Sequence, residues 1–143
     1  MSDLVACLHA RVASRDILLP LRDLREVLPA TPVALLPGRP RGIKGVVVHE
    51  GEFLPVLAWE EMPGCRVAKG QPEALAVLRP RLGIFLDLMF GTVDVDPDSW
   101  IEPPPEDPWR AWLGAMVHGA TGDLPLLDAD RLVALLHAFR SEH

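Results

Sequence analysis

Short apolar runs separated by turn residues recur along the whole chain, and this pattern constrains the fold more than any other feature of the sequence. The clearest example is GIKGVVVHEGEFLPVLAW, residues 42–59, in which strands over 43–49 and 52–58 flank a turn at Glu50-Gly51. About nine such strands at turn spacing, together with two helices, predict a mainly β fold built as a barrel or as a pair of small barrels.

The turn and the proline of this hairpin lead to two separate predictions. Glutamate disfavours the positive φ that a type I′ turn requires at its first central position. The sequence therefore predicts a type I turn with Gly51 in a left-handed bulge position. Pro55 has no N–H to donate to a ladder, so its nitrogen should face a sheet edge or a bulge.

Three further hairpins follow from the same alternation of apolar runs and turn residues. They join 4–12 to the run from Ile17, 74–79 to 81–90 across Arg79-Pro80, and 112–119 to 123–128. Two proline-rich segments interrupt the strands. Segment 29–40 should be a stiff loop lying against an apolar surface, and segment 102–109 should be extended and exposed.

Two helices are predicted from apolar residues at helical spacing. The first begins at Pro20 and is only about two turns long, because Pro29 and Pro32 follow it. Its apolar face would hold Leu21, Leu24, Val27 and Leu28. The second closes the chain after Asp128, a good N-cap, with a face made of Leu132, Leu135, Leu136 and Phe139.

Length and charge restrict the class of protein. A chain of 143 residues predicts one domain over 1–143, which can bury a core without a disulfide or a metal. The net charge of −6 argues against a broad phosphate-binding surface and hence against nucleic acid as a partner. With no secretory signal and no apolar stretch of about 20 residues, we expect a soluble cytoplasmic protein that does not insert into a membrane.

The residues that catalysis needs are poorly arranged. The four serines lie outside any strand-to-helix elbow, and no glycine-rich phosphate loop occurs. His49-Glu50 could pair as acid and base, but at a hairpin tip both side chains are expected to be exposed and to have little catalytic leverage. We therefore expect no enzymatic activity and no cofactor.

Metal sites are likewise not expected. Cys7 and His9 leave the same face of a strand, and only folding could add Cys65, His49 or His118 to them. The spaced aspartates of DVDPDS resemble the start of a calcium loop, but the glycine and the glutamate that such a loop needs are replaced by Ser99 and Pro105.

The central segment, DILLPLRDLREVLPATPVALLPGRPRGIKGVVVHEGEFLPVLAW, resembles the CheW family of chemotaxis coupling proteins. The family pattern has a short helix ending in E-[VI], an lP-x-x-P loop, and I-x-G-V-x-N-L-R-G followed by a P-[VI]-[VIL] strand. The matching residues here are Glu26-Val27, Leu36-Pro37 through Pro40, Ile43, Gly45, Val46, Gly51 and Pro55-Val56-Leu57. RLGIFLD, WIEPPPE and DLPLLDADRLVALL are similar to later parts of the family, in the same order.

The resemblance implies two small five-stranded β-barrels that share a core, with a short helix after the second strand and a C-terminal helix. It also implies a non-catalytic adaptor that links the cytoplasmic tip of a chemoreceptor to the regulatory domain of a CheA-type histidine kinase. The partner-binding residues that it implies are Leu24, Glu26, Val27, Gly45, His49, Glu50 and Gly51.

One departure from the family pattern reverses a charge. Where the family has N-L-R-G, this chain has Val48-His49-Glu50-Gly51, so the usual arginine is Glu50. The reversal implies either a different partner or a contact that is not used, as in an adaptor of a pilus or another non-flagellar array. An alternative from another class is a small-ligand or metal-sensing barrel that uses Cys7, His9 and the tryptophans.

Overall fold

The computed structural model describes residues 3–67, 69–119 and 122–140, and within them the chain is mainly β, with two sheets and one α-helix. No helix among these residues is long and apolar enough to cross a membrane. The strands are β1 (Val5–Val12), β2 (Arg15–Pro20), β3 (Leu24–Pro29), β4 (Ile43–His49), β5 (Glu52–Leu57), β6 (Ala74–Leu78), β7 (Leu82–Leu86), β8 (Leu88–Val95), β9 (Trp100–Ile101), β10 (Leu113–Gly119) and β11 (Gly122–Leu127), and the helix is α1 (Ala129–Arg140).

These strands form two sheets. The six-stranded sheet has the order β8-β1-β2-β11-β10-β9, and the five-stranded sheet has the order β3-β6-β7-β5-β4. Neighbouring strands are antiparallel except for β2–β11 and β5–β7. The five-stranded sheet is made by one continuous stretch of chain, β3 to β7, inserted between the two halves of the other sheet.

The predicted mainly β fold with a C-terminal helix is confirmed, and so are the predicted hairpins. The expected closure into two five-stranded barrels is not seen: one sheet has six strands and the other five, and no ladder joins the edge strands of either sheet within the described part of the chain. Asp128 caps α1 as expected: its carboxylate accepts a hydrogen bond of 3.0 Å from the backbone N–H of Arg131. Ala120 and Thr121, in the last predicted turn, lie outside the described residues.

The predicted helix after Pro20 is wrong. Leu21–Asp23 form a single 3₁₀ turn, and the chain then continues as β3, which pairs with β6. The residues of β3 alternate between half-buried and exposed, and a bulge between Leu24 and Glu26 turns Leu24 toward the large core and Leu28 toward a small one. The apolar residues of this segment have helical spacing, but backbone pairing with β6 overrides that local pattern and holds the segment as a bulged strand.

One large apolar core lies between the two sheets. It takes residues from β1 and β2, from β6 and β7, and from the inner face of α1. Two smaller cores fill the other sides of the sheets. The strand β6 is buried on both faces, since Ala76 and Leu78 join the large core while Leu75 and Val77 join a small one.

Three tryptophans fix the second proline-rich segment to this core. The rings of Trp59 and Trp109 stack with centroids 5.8 Å apart, and Trp112 packs against Trp109 at 5.6 Å. Arg15 donates two hydrogen bonds, of 2.9 and 2.6 Å, to the carboxylate of Asp107, and they hold the pKa of that carboxyl below its usual value. The expectation that segment 102–109 is exposed throughout is therefore wrong, because Trp109 anchors it in the interior.

Pro55 does not lie on a sheet edge, although a register irregularity of the β4–β5 ladder lies one pair away from it. The strand β5 is interior, between β4 and β7, and is therefore no edge strand. Its parallel ladder with β7 consists of the pair Val56–Gly83, and Pro55 lies directly before that pair. The missing N–H is tolerated because Pro55 stands where this short ladder begins.

The loop between β3 and β4 covers the outer edge of β4. Ala34 and Val46 exchange two backbone hydrogen bonds, of 2.9 and 3.0 Å. A Cβ at Gly45 would lie 2.2 Å from the Ala34 carbonyl oxygen, so only glycine permits this approach. Of the apolar residues expected to hold the loop down, Val33 packs on a small core, whereas Leu35 and Leu36 are exposed.

Gly45→Ala should therefore destabilise the protein by about 1–3 kcal/mol, because the added methyl group displaces the loop from β4. Denaturant unfolding measures the change. Gly114→Ala is the matched control, since a Cβ there meets its nearest atom at an ordinary 3.5 Å. Equal stability of the two variants would contradict the close approach at Gly45.

Candidate functional site

Side chains of the two edge strands of the five-stranded sheet meet at one end of the sheet. There is no ladder between β3 and β4, yet Arg25 Nη2 donates a hydrogen bond of 2.6 Å to Glu50 Oε2. His49 Nε2 contacts Glu26 Oε1 beside it. We call these four residues, together with Gly51, the Glu50 corner.

The turn at this corner is type I′. His49 pairs with Glu52 across a two-residue loop, and the φ angles of Glu50 and Gly51 are 52° and 77°. The predicted type I turn with a bulge is therefore wrong. Both two-residue turns that match the twist of the strands, types I′ and II′, need positive φ at the first central position, and this requirement overrides the reluctance of glutamate to adopt it.

His49 and Glu50 differ sharply in exposure. The alternation of β4 points His49 inward with Val47, so only 6% of the residue is exposed, and the expectation of an exposed histidine is wrong. Its Nδ1 atom has no hydrogen-bond partner among the described residues. Glu50 is exposed as expected, with its carboxylate paired to Arg25.

An apolar pair lies on the outer face of the same hairpin. Val48 and Phe53 face each other across β4 and β5, and they are 70% and 72% exposed. Sequence reasoning missed them as a site, although the alternation of β4 that buries positions 47 and 49 also turns position 48 outward. Exposed apolar side chains in contact with one another are typical of surfaces that bind other proteins.

The other residues implied by the family resemblance are spread along the two edge strands. Leu24 is half-buried and packs against the large core, whereas Val27, which pairs with Ala76 of β6, is exposed. Gly45 is buried beneath Ala34. The structure thus brings Glu26, His49, Glu50 and Gly51 together and leaves Leu24, Val27 and Gly45 outside this cluster.

Cys7 and His9, which the alternative sensor hypothesis uses, do not form a common site. Cys7 is fully buried in a small core, and burial raises the pKa of its thiol to about 11. His9 instead contacts Asp16 at 3.3 Å and packs on the ring of Phe90. In the DVDPDS segment, Asp96 accepts a hydrogen bond from the backbone N–H of Asp98, which makes it a turn-forming residue.

A groove of about 450 Å³ lies on another side of the five-stranded sheet, between the loop after β3 and the segment that precedes β6. It is largely apolar, and Val33, Leu57, Trp59 and Phe85 contribute to its walls. Trp59 is the only tryptophan in its lining, and its indole N–H is already bonded to the carbonyl oxygen of Phe85. Neither Cys7 nor His9 lines this groove.

Comparisons with known proteins agree on the class of fold. The family model described as a CheW-like domain matches residues 6–137. The crystal structure of the scaffolding protein TtCheW from Thermoanaerobacter tengcongensis superposes with a TM-score of 0.79 at 16% identity, over 90% of this chain and 87% of that one. At this identity the likeness shows a common fold. No curated protein matches the sequence.

The type I′ turn predicts a difference between two neutral amides at position 50. Asparagine adopts positive φ more readily than glutamine, and both remove the charge that pairs with Arg25. Glu50→Asn should therefore be more stable than Glu50→Gln by roughly 0.5–1 kcal/mol in denaturant unfolding. As a control, Glu52→Asn and Glu52→Gln should show no such preference for asparagine, because Glu52 has ordinary strand geometry. Equal stability of the position-50 pair would contradict the turn type.

Proposed function

The chain belongs to the CheW family, and from this premise we propose that it is a non-catalytic adaptor that joins a chemoreceptor tip to the regulatory domain of a CheA-type histidine kinase. Proteins of this family are scaffolds of chemosensory signalling rather than enzymes. The observation that carries the proposal is the exposed Val48–Phe53 pair beside the Glu50 corner. It places apolar surface next to the residues at which the family resemblance puts the partner contacts.

The hairpin is suited to binding because it is already ordered. Its turn has a defined geometry, Gly45 holds β4 under the covering loop, and His49 anchors the inner side of the strand. A surface ordered before association loses little conformational entropy when a partner binds. We therefore propose Phe53 and Val48 as anchors, with Glu50 as the charged group at the rim.

The charge at this rim differs from that of the family pattern. Glu50 replaces an arginine, and its carboxylate is paired with Arg25 of β3. A partner therefore meets a guanidinium and a carboxylate side by side instead of a single positive charge. We propose that the partner surface has changed to match, because an unmatched charge reversal at an interface costs several kcal/mol.

The remaining expectations follow from this role. Both partner regions are cytoplasmic, so we propose the same location for this protein. The large core takes residues from both sheets, which supports the proposal that residues 1–143 act as a single domain. Leu24, Val27 and Gly45 stay predicted partner-binding positions, with Gly45 acting through the backbone that it allows to pack.

The test is assembly of three purified proteins: this chain with the CheA-type kinase and the chemoreceptor of the same organism. Wild-type protein should bring kinase and receptor into one sedimenting complex. Phe53→Ser should weaken the binding of this protein to the kinase–receptor pair at least tenfold. The same substitution should change the free energy of unfolding by no more than about 0.5 kcal/mol, because Phe53 is exposed. Ile101→Ser, at a half-exposed residue of the other sheet, is the control. Absence of any complex with wild-type protein would refute the adaptor role.

Reversing the charge at Glu50 tests the electrostatic contribution to partner binding separately from the apolar contacts of Val48 and Phe53. Glu50→Arg should weaken binding to the native partner at least tenfold, since it sets a second guanidinium beside Arg25 and opposes a surface adapted to the carboxylate. The measurement is the dissociation constant at two salt concentrations. Asp94→Arg on β8 makes the same change in net charge on the other sheet and should bind as wild type does. An unchanged affinity for Glu50→Arg would remove Glu50 from the interface.

A further inference from the structure

We propose that Glu26, His49 and Glu50 form a binding site for a divalent transition-metal ion, with zinc as the best fit. One ligand atom from each of these residues lies within 4.8 Å of the others. Among the described residues this is the one cluster of three or more histidine, cysteine, aspartate or glutamate side chains with that geometry. The inference goes beyond the adaptor role and does not depend on it.

The donor set selects the class of ion. One imidazole nitrogen and two carboxylate oxygens are ligands that zinc accepts, and three protein ligands leave a fourth position for water or for a partner side chain. Calcium and magnesium prefer an all-oxygen shell, so a histidine in the set argues against them. No cysteine lies in the cluster, and this excludes a thiolate-rich site.

The buried histidine is the second observation that favours a ligand. Only 5% of the His49 side chain is exposed, and its Nε2 atom faces the carboxylate of Glu26. In the metal-free protein Nε2 donates to the Glu26 carboxylate, which can only accept, while Nδ1 has no partner among the described residues, so a shift of the proton to Nδ1 frees Nε2. The lone pair of Nε2 is therefore available to a cation when the proton is on Nδ1.

Charge at the cluster favours a cation as well. Two carboxylates converge here, and Arg25 bonds to Glu50 alone. The cluster therefore keeps an excess of negative charge beside a half-buried face of the sheet, where charge interactions are stronger than in bulk water.

Bound metal would have a structural consequence. Glu26 belongs to β3, whereas His49 and Glu50 come from the end of β4 and its turn. An ion held by all three would join the two edge strands of the five-stranded sheet, which side-chain contacts alone connect at this end. It would also add positive charge at the rim of the exposed hairpin.

The experiment is a titration of the tag-free protein with zinc chloride at neutral pH, followed by calorimetry and by thermal unfolding. Wild-type protein should bind one zinc ion saturably, and its Tm should rise with zinc concentration. Glu26→Gln and Glu50→Gln should each weaken binding at least tenfold, since an amide is a poorer ligand than a carboxylate. Magnesium at the same concentrations should leave the Tm unchanged.

Two controls separate this site from binding elsewhere. Glu52→Gln removes a neighbouring exposed carboxylate outside the cluster and should bind zinc as wild type does. Cys65→Ser should also bind normally, because burial raises the pKa of that thiol to about 12 and keeps it protonated at neutral pH. Both glutamine variants retain the buried His49, so a loss of zinc binding in them cannot be attributed to a disturbed core.

The proposal is overturned if wild-type protein shows no saturable binding at millimolar zinc, which would leave His49 and Glu26 as a simple hydrogen-bonded pair. It is equally overturned if both glutamine variants bind zinc with wild-type affinity. Failure of the kinase–receptor assembly would not affect either result, so the two proposals are tested separately.

Discussion

The close approach of Gly45 to the backbone of Ala34 is the contact on which the candidate site depends. It lets the loop after β3 pair with β4, so that this edge strand has a hydrogen-bonded neighbour on both sides. An uncovered edge would invite pairing with other chains. With β4 held between the loop and β5, the hairpin presents its turn and its outer face in one fixed orientation.

That orientation explains how one hairpin can carry several functional features. The alternation of β4 places His49 inside and Val48 outside, so adjacent residues serve the interior and the binding surface. Glu50 occupies a backbone conformation that glutamate does not favour. Strain of this kind persists where the surrounding structure enforces it, and it is common at binding sites. The carboxylate is used here for contacts with Arg25 and for the charge of the corner.

Sequence patterns predicted most of the strands and the positions of the hairpin turns because those signals are local. Short apolar runs bounded by turn residues placed β4, β5, β6 and β7, and Asp128 marked the start of α1. The sequence prediction for segment 20–28 is wrong because its apolar residues have helical spacing, whereas the strand depends on pairing with β6, about fifty residues away. The turn at Glu50 was misread because strand twist outweighed the preference of one residue. The burial of His49 follows from the alternation of β4, which extends to the last residue before the turn.

The sequence by itself determined the mainly β class, the positions of the hairpins, the capped final helix and the resemblance that led to the family. Only the tertiary structure decided that Glu26 meets His49, which is 23 positions away on the opposite edge of the same sheet. The physical reason is that sheet curvature and the covering loop are set by packing summed over many distant residues. No local pattern around Glu26 or His49 contains that information, so a site formed between two strand edges becomes visible only in the folded chain.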